Sequence, residues 1–336
     1  PIFPNIFIKK ISKRKKLKIV LVVLKYGGIK MVKEIADILR LADKSENWKI
    51  NLFKLNVTKK EGIKYFVEEL SDFDKDGILK TVKEIISLYT DGEKSNAYSS
   101  IEDYDSSLIS NVVYKMDITN DIIKDACELF ISALADPDIE TDPTKNKYEG
   151  YVLKTSVEKE GEDIPIKLIF MNNPIKVIKN KFFKINGKYK EISGEVLGLK
   201  LDIDMISFAD KIYFFNNSGE KLFNMERAYK KICQEKVEEI KDIGIVTDIE
   251  AFIGVATSGH NPRRFISFNN ERIESLKDDK MKSIISKHFR IPLIDGKFDT
   301  SNNDTSEKLI KLLCGKGEID PFNNKPVEVS GAKEWK

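Results

Sequence analysis

Between Tyr148 and Asn216 the chain reads as one short strand after another, and this stretch most restricts what the protein can fold into. Tyr151–Val157, Ile164–Phe170 and Pro174–Ile178 are rich in β-branched and aromatic residues, and Lys181–Ile185 and Lys188–Ile192 flank Asn186-Gly187. An Asn-Gly pair supplies the positive-φ residues of a tight turn, so the runs on either side are expected to pair antiparallel. Leu199–Phe208 and Lys211–Phe215, on either side of Ala209-Asp210, predict another hairpin. An antiparallel meander over 148–216 follows. From Glu220 the period lengthens. Glu220–Ile240, Asp248–Ala256, Arg272–His288 and Glu307–Leu313 are predicted helices, with a short strand near Val327–Val329.

Upstream the pattern is mixed. Val32–Leu41, Gly62–Leu70, Leu79–Leu88 and Asp121–Leu134 are expected as helices, Lys49–Val57 and Val112–Ile118 as strands, and the polar stretch Asp91–Ser107 as a loop. Two Asp-Pro steps between Asp136 and Lys147 mark a boundary. The expected fold class is therefore α+β in two lobes. An N-terminal α+β lobe spans 31–142; a second domain, 148–336, holds an antiparallel or mixed sheet (148–216) followed by a helical region (220–336).

Charge is distributed unevenly. Residues 1–30 carry nine Lys or Arg and no acid; 31–150 carry 16 basic and 25 acidic side chains; 151–336 carry 32 and 29. The net charge of +3 therefore rests on the first thirty residues. The first methionine is Met31, preceded by Gly27-Gly28-Ile29-Lys30, whose codons can spell a ribosome-binding site at the right spacing. Residues 1–30 are accordingly expected to be a translated leader, not part of the native protein. The apolar run Ile19–Leu24 is short for a signal peptide and lacks a small-residue cleavage site. No apolar run approaches the roughly 20 residues of a membrane span.

Most enzyme signatures are missing. There is no GxGxxG, HExxH or GxSxG, and Cys314-Gly315-Lys316-Gly317 lacks the spacing of a phosphate loop. Cys127, Cys233 and Cys314 stand far apart, with only His260 and His288 beside them, so neither a zinc site nor a disulfide framework is supported. No cofactor is implied, and the cysteines are expected to be reduced, as in the cytosol.

Three segments remain as candidates. Ile164–Lys190 holds seven lysines (Lys167, Lys176, Lys179, Lys181, Lys184, Lys188 and Lys190) and no acid, interleaved with Phe170, Phe182, Phe183 and Tyr189. Such a face can neutralise successive phosphates while aromatic rings stack on bases, or it can be a solvated sheet face. Second, Gly259-His260-Asn261-Pro262 presents Arg263 and Arg264, with Lys280, Lys282, Lys287 and Arg290 following. Paired arginines suit phosphate or guanine edges, and equally suit ion pairs between lobes. Third, Asp202 and Asp204 fall on one face of a predicted strand, where they could hold magnesium in a nuclease or simply form a polar face.

The run from Leu201-Asp202-Ile203-Asp204-Met205 through Ile212-Tyr213-Phe214-Phe215-Asn216 to Glu220-Lys221-Leu222-Phe223 resembles the centre of the KwaB family. Arg263-Arg264-Phe265-Ile266, Ile310-Lys311-Leu312-Leu313 and Val327-Glu328-Val329-Ser330-Gly331-Ala332-Lys333 resemble its C-terminal half. The resemblance covers about 174–334. It implies the soluble component of the Kiwa anti-phage system, cytoplasmic and joined to the membrane through a small multi-span partner, KwaA. It also implies double-stranded DNA binding that interferes with phage replication and transcription. On this reading Lys176, Lys179, Lys181, Lys184, Lys188, Arg263, Arg264, Lys282 and Arg290 contact nucleic acid, and the protein is a homo-oligomer and a binder, not an enzyme. The alternatives are a metal-dependent nuclease using Asp202 and Asp204 and a non-catalytic adaptor docked on its partner or on anionic lipid.

Overall fold

The computed structural model describes residues 32–58, 62–70, 74–104, 111–140, 147–159, 161–185, 188–268, 270–319 and 325–328, without the side chains of 96, 139, 140, 159, 177–196 and 328. The expected leader, 1–30, and the Asn186-Gly187 turn lie outside the described residues.

The chain opens with α1 (Lys33–Asp43), β1 (Lys49–Thr58), β2 (Gly62–Leu70), α2 (Lys75–Thr90), β3 (Ser100–Asp103), β4 (Val112–Asp117), α3 (Lys124–Ala135) and β5 (Asp138–Glu140). Six strands follow: β6 (Gly150–Lys159), β7 (Glu162–Phe170), β8 (Ile175–Ile185), β9 (Lys188–Leu197), β10 (Met205–Phe208) and β11 (Lys211–Phe214). The C-terminal part contains α4 (Ser218–Leu222), α5 (Met225–Ile243), α6 (Ile249–Ala256), α7 (Asn261–Arg264), α8 (Asn270–Ser275), α9 (Asp279–Phe289) and α10 (Asn303–Leu313). Two small ribbons complete it: β12 (Leu293–Ile294) with β13 (Lys297–Phe298), and β14 (Gly317–Ile319) with β15 (Pro326–Glu328). The protein is α+β, with a mixed sheet and a helical C-terminal region.

Nine strands form that sheet in the order β3-β4-β11-β10-β7-β6-β1-β2-β5. Parallel pairing occurs only at the edges, β3 with β4 and β2 with β5; every other neighbour is antiparallel. The centre, β6-β7-β10-β11, comes from the predicted meander, and strands from before residue 142 flank it on both sides. The first Asp-Pro step, Asp136-Pro137, thus leads directly into β5, and the second, Asp142-Pro143, falls between β5 and β6, two strands of one sheet with β1 and β2 between them.

Helices cover both faces, which explains the continuous apolar runs of the central strands. Leu52, Tyr151, Leu153, Leu168, Phe170, Ile206 and Tyr213 pack under α1 and α2, whereas Phe53, Val152, Ile169, Met205, Ile212 and Phe214 pack under α3 and α4. Each large apolar side chain buried in this way contributes about 1.5–3 kcal/mol. Gly219 permits the closest of these contacts: a Cβ there would lie 2.5 Å from the Phe214 ring and 2.7 Å from Met205 Sδ, so α4 rests directly on β10 and β11. Helix α5 then crosses from one core to the next. Its first turns, with Met225 and Tyr229, belong to the sheet, and Cys233, Val237 and Ile240 belong to a separate helical core with Phe252, Phe265, Phe298 and Leu309.

Several elements differ from expectation. Gly62–Leu70 is a strand, not a helix: it pairs with β1 along its whole length, and Ile63 and Val67 alternate inward under α3. The predicted helix Glu220–Ile240 breaks at Asn224, which adopts a left-handed conformation (φ 49°), and α5 ends at left-handed Gly244. Arg272–His288 breaks where the Asp278 carboxylate accepts the Lys280 N–H and starts α9 afresh. The polar stretch after α2 supplies a short 3-10 turn and the edge strand β3. Finally, the strand expected over Leu199–Phe208 begins only at Met205.

Candidate functional site

The basic segment divides into two structures. Lys167 stands on β7 inside the main sheet, half-buried, where burial lowers its pKa, the Cys127 sulfur opposes the shift and the nearby Lys154 ammonium adds to it. The other six lysines lie on β8 and β9, a two-stranded ribbon that pairs with no other strand among the described residues. Its register runs from Ile175 opposite Leu197 to Ile185 opposite Lys188, with an irregularity between Ile178 and Lys181. Only Glu191 and Glu195 offset those lysines within the ribbon. Lys176 is exposed; Lys179, Lys181, Lys184 and Lys188 are placed by backbone register alone, their side chains lying outside the described ones.

Arg263 and Arg264 are both engaged. Gly259 is left-handed (φ 56°) and Pro262 sits in the first turn of α7, so this short helix presents the two arginines to different neighbours. Arg263 Nη2 lies 2.5 Å from Glu220 Oε1 on α4. The contact is an ion pair without hydrogen-bond alignment, because Arg263 Nε and Nη2 are buried with no aligned acceptor. The same Glu220 oxygen accepts from Tyr104 Oη at 2.5 Å and Tyr229 Oη at 3.1 Å. Burial above all pushes both phenols well above the ordinary tyrosine range; Tyr229 and then the Glu220 carboxylate add to the shift of Tyr104, while for Tyr229 the carboxylate is opposed by the Tyr104 hydrogen bond and by Arg263. Arg264 Nη1 donates to Asn261 Oδ1 at 2.5 Å and to Glu307 Oε1 on α10 at 3.2 Å. Neither acid belongs to the N-terminal lobe, so these pairs fasten α7 within the C-terminal half. Nothing in sequence spacing links Arg263 to Glu220 or Arg264 to Glu307. Lys282 pairs with Asp279 at 2.9 Å, and Arg290 ends α9 in the left-handed conformation.

Asp202 and Asp204 do not share a face. Asp202 lies in an exposed bend and pairs with Lys94. Asp204 is 1% exposed and saturated: it accepts from the Met171 N–H at 2.7 Å, Asn216 Nδ2 at 2.7 Å and Lys200 Nζ at 3.0 Å. Its own backbone ties β7 to β11, donating to Ile169 O and accepting from the Phe215 N–H. The chain leaves strand geometry here because Tyr151 Oη receives the Lys200 N–H at 2.7 Å and Tyr89 Oη receives the Ile203 N–H at 2.9 Å. Among the described residues no three His, Cys, Asp or Glu side chains group as a metal site. Lys200 and the two tyrosines are the residues that sequence reading missed: Lys200 stands only four positions before Asp204 but folds back onto it, and only the fold brings Tyr151 and Tyr89 to the backbone beside it.

The three cysteines are free and buried, and burial raises Cys127 and Cys233 to about 11 and Cys314 to about 12, so none is a thiolate at neutral pH. Among the described residues no helix is long and apolar enough to cross a membrane.

The fold thus defines an α+β protein whose saturated sheet junction supports a separate basic ribbon and a helical C-terminal part. Residues 150–315, about half of the chain, match the family described as Kiwa protein KwaB-like, and the chain belongs to that family. The match begins at β6 and takes in the central sheet strands, the ribbon and the helices through α10. Membership associates the protein with Kiwa anti-phage defence. No curated protein and no solved structure matches the chain significantly.

Proposed function

We propose that this protein is a DNA-binding effector of anti-phage defence that interferes with phage replication and transcription and does not cleave its target. The observation that carries the reading is the β8–β9 ribbon, six lysines against two glutamates on a hairpin with no further strand partner among the described residues. A two-stranded ribbon fits the major groove, and each lysine that meets a phosphate releases condensed counterions. Lys176, Lys179, Lys181, Lys184 and Lys188 are assigned to the phosphates. Arg263 and Arg264 add donors only when Glu220 and Glu307 are exchanged for phosphate, and Lys282 and Arg290 add to the attracting field. The protein would act in the cytoplasm as a homo-oligomer, beside the membrane component KwaA.

Anisotropy of labelled duplex DNA at two salt concentrations, with and without magnesium, tests this. The expected result is binding that weakens steeply with salt and leaves the DNA intact. Absence of binding at low salt would refute it, and magnesium-dependent cleavage would reassign the protein as a nuclease.

A further inference from the structure

Among the described helices of eight residues or more, α9 alone buries no side chain. Helices of this length are ordinarily held by an apolar stripe against a core. Here the apolar residues point partly the other way. Ile285 and Phe289 lean on the helical core, while Met281 and Ile284, three residues apart, are 37% and 47% exposed. Ile294, on the neighbouring strand β12, is 50% exposed. Around these three side chains stand Lys280, Lys287, Arg290 and Lys297, none of which has an ion-pair partner among the described residues. Two nearby acids are engaged otherwise: Asp278 caps the helix and Asp279 pairs with Lys282. Asp295, in the β12–β13 turn, is the remaining one.

We infer that α9 and the tip of the β12–β13 ribbon dock on an anionic phospholipid surface. Exposed Met and Ile flanked by cations match the two layers of such a surface, acyl chains beneath and phosphates above. Duplex DNA answers only the cations and leaves the apolar side chains against phosphate and water. A second copy of the chain is disfavoured as occupant because a two-fold contact would set the same unpaired cations against each other. This docking shares Arg290 and helix α9 with the DNA reading, but it rests on the exposed apolar side chains Met281, Ile284 and Ile294, which that reading does not use, so variants at those positions separate the two.

Because the native cysteines are buried, a full-length Ile284→Cys variant accepts a single environment-sensitive fluorophore at the ridge. Its emission is expected to shift to the blue with vesicles of phosphatidylcholine plus phosphatidylserine and to stay unchanged with phosphatidylcholine alone. No shift with either vesicle overturns the inference. In vesicle co-sedimentation, Met281→Gln together with Ile294→Gln, which leaves the charge unaltered, is expected to weaken binding by about tenfold or more, with duplex DNA affinity and melting temperature unchanged. Undiminished vesicle binding by that variant also overturns it. So does a wild-type dimer that the same substitutions dissolve while vesicles remain unbound, which would assign the ridge to a second copy.

Discussion

The junction around Asp204 and the β8–β9 ribbon are neighbours in sequence and opposites in construction. At the junction every charge is answered. Asp204 is met by an ammonium, an amide and a backbone N–H, and two tyrosine hydroxyls secure the chain around it. In the ribbon six lysines face two glutamates, and among the described residues no further strand covers either edge. A carboxylate can be taken out of water only where donors replace the water, so a saturated buried aspartate marks architecture. An excess of like charge on an unpaired ribbon is tolerated only because solvent or an oppositely charged ligand completes it. The two arginines stand between these cases: charged and basic, yet already spent on Glu220 and Glu307.

The contrast can be broken most forcefully at Asp204. Asp204→Ala leaves a half-buried lysine, amide and backbone donor without their acceptor, and should cost about 3 kcal/mol in urea unfolding. Next comes the ribbon. Lys179→Gln, Lys181→Gln and Lys184→Gln together should leave the unfolding midpoint unchanged and lower DNA affinity about a hundredfold at low salt. Each lost phosphate contact should reduce the salt slope by about 0.9. A variant that melts early while keeping its affinity would reverse the roles of the two regions.

Glu220→Gln tests the intermediate case. Removing the charge leaves the Arg263 guanidinium half-buried and unneutralised, with an expected loss of about 1–3 kcal/mol of stability. If α7 then releases its arginine to solvent, DNA affinity should rise in the same variant. Lys167 offers a smaller and opposite effect. Burial holds its ammonium below the ordinary value of 10.5, so the unfolded chain binds that proton more tightly. The cost is full below the folded pKa and disappears as pH rises through the window up to 10.5. Lys167→Met should therefore stabilise the protein by about 1 kcal/mol at neutral pH, and the gain should shrink as pH is raised. The smallest change is expected from Asp202→Asn. Its pair with Lys94 is exposed, and thermal melting should register no more than about 0.5 kcal/mol.

Much of the fold was legible because local pattern and burial agree. The run Ile212-Tyr213-Phe214-Phe215 has no polar break, and it lies on β11, one of the central strands whose two faces are both covered. Gly62–Leu70 misled because five apolar or aromatic residues in a short run fit two periods, and only pairing with β1 selects between them. Asp202 and Asp204 misled for a related reason. Period-two spacing predicts a shared face only if the strand exists, and the Tyr151 and Tyr89 hydroxyls hold residues 200–203 out of one.

By itself the sequence determined the α+β class, the hairpin around Asn186-Gly187, the helical C-terminal half, the location of the charge excess and the family resemblance. These depend on neighbours within a few residues, which a linear reading contains. Only the tertiary structure decided that β3 and β4 join β11 while β1 joins β6, that six of the seven lysines stand apart from the sheet, and which acids claim the arginines. Those outcomes bring together residues tens to more than a hundred positions apart. Whether a charged side chain is neutralised or left free depends on the partner that chain folding delivers to it, and that partner is not encoded at its own position.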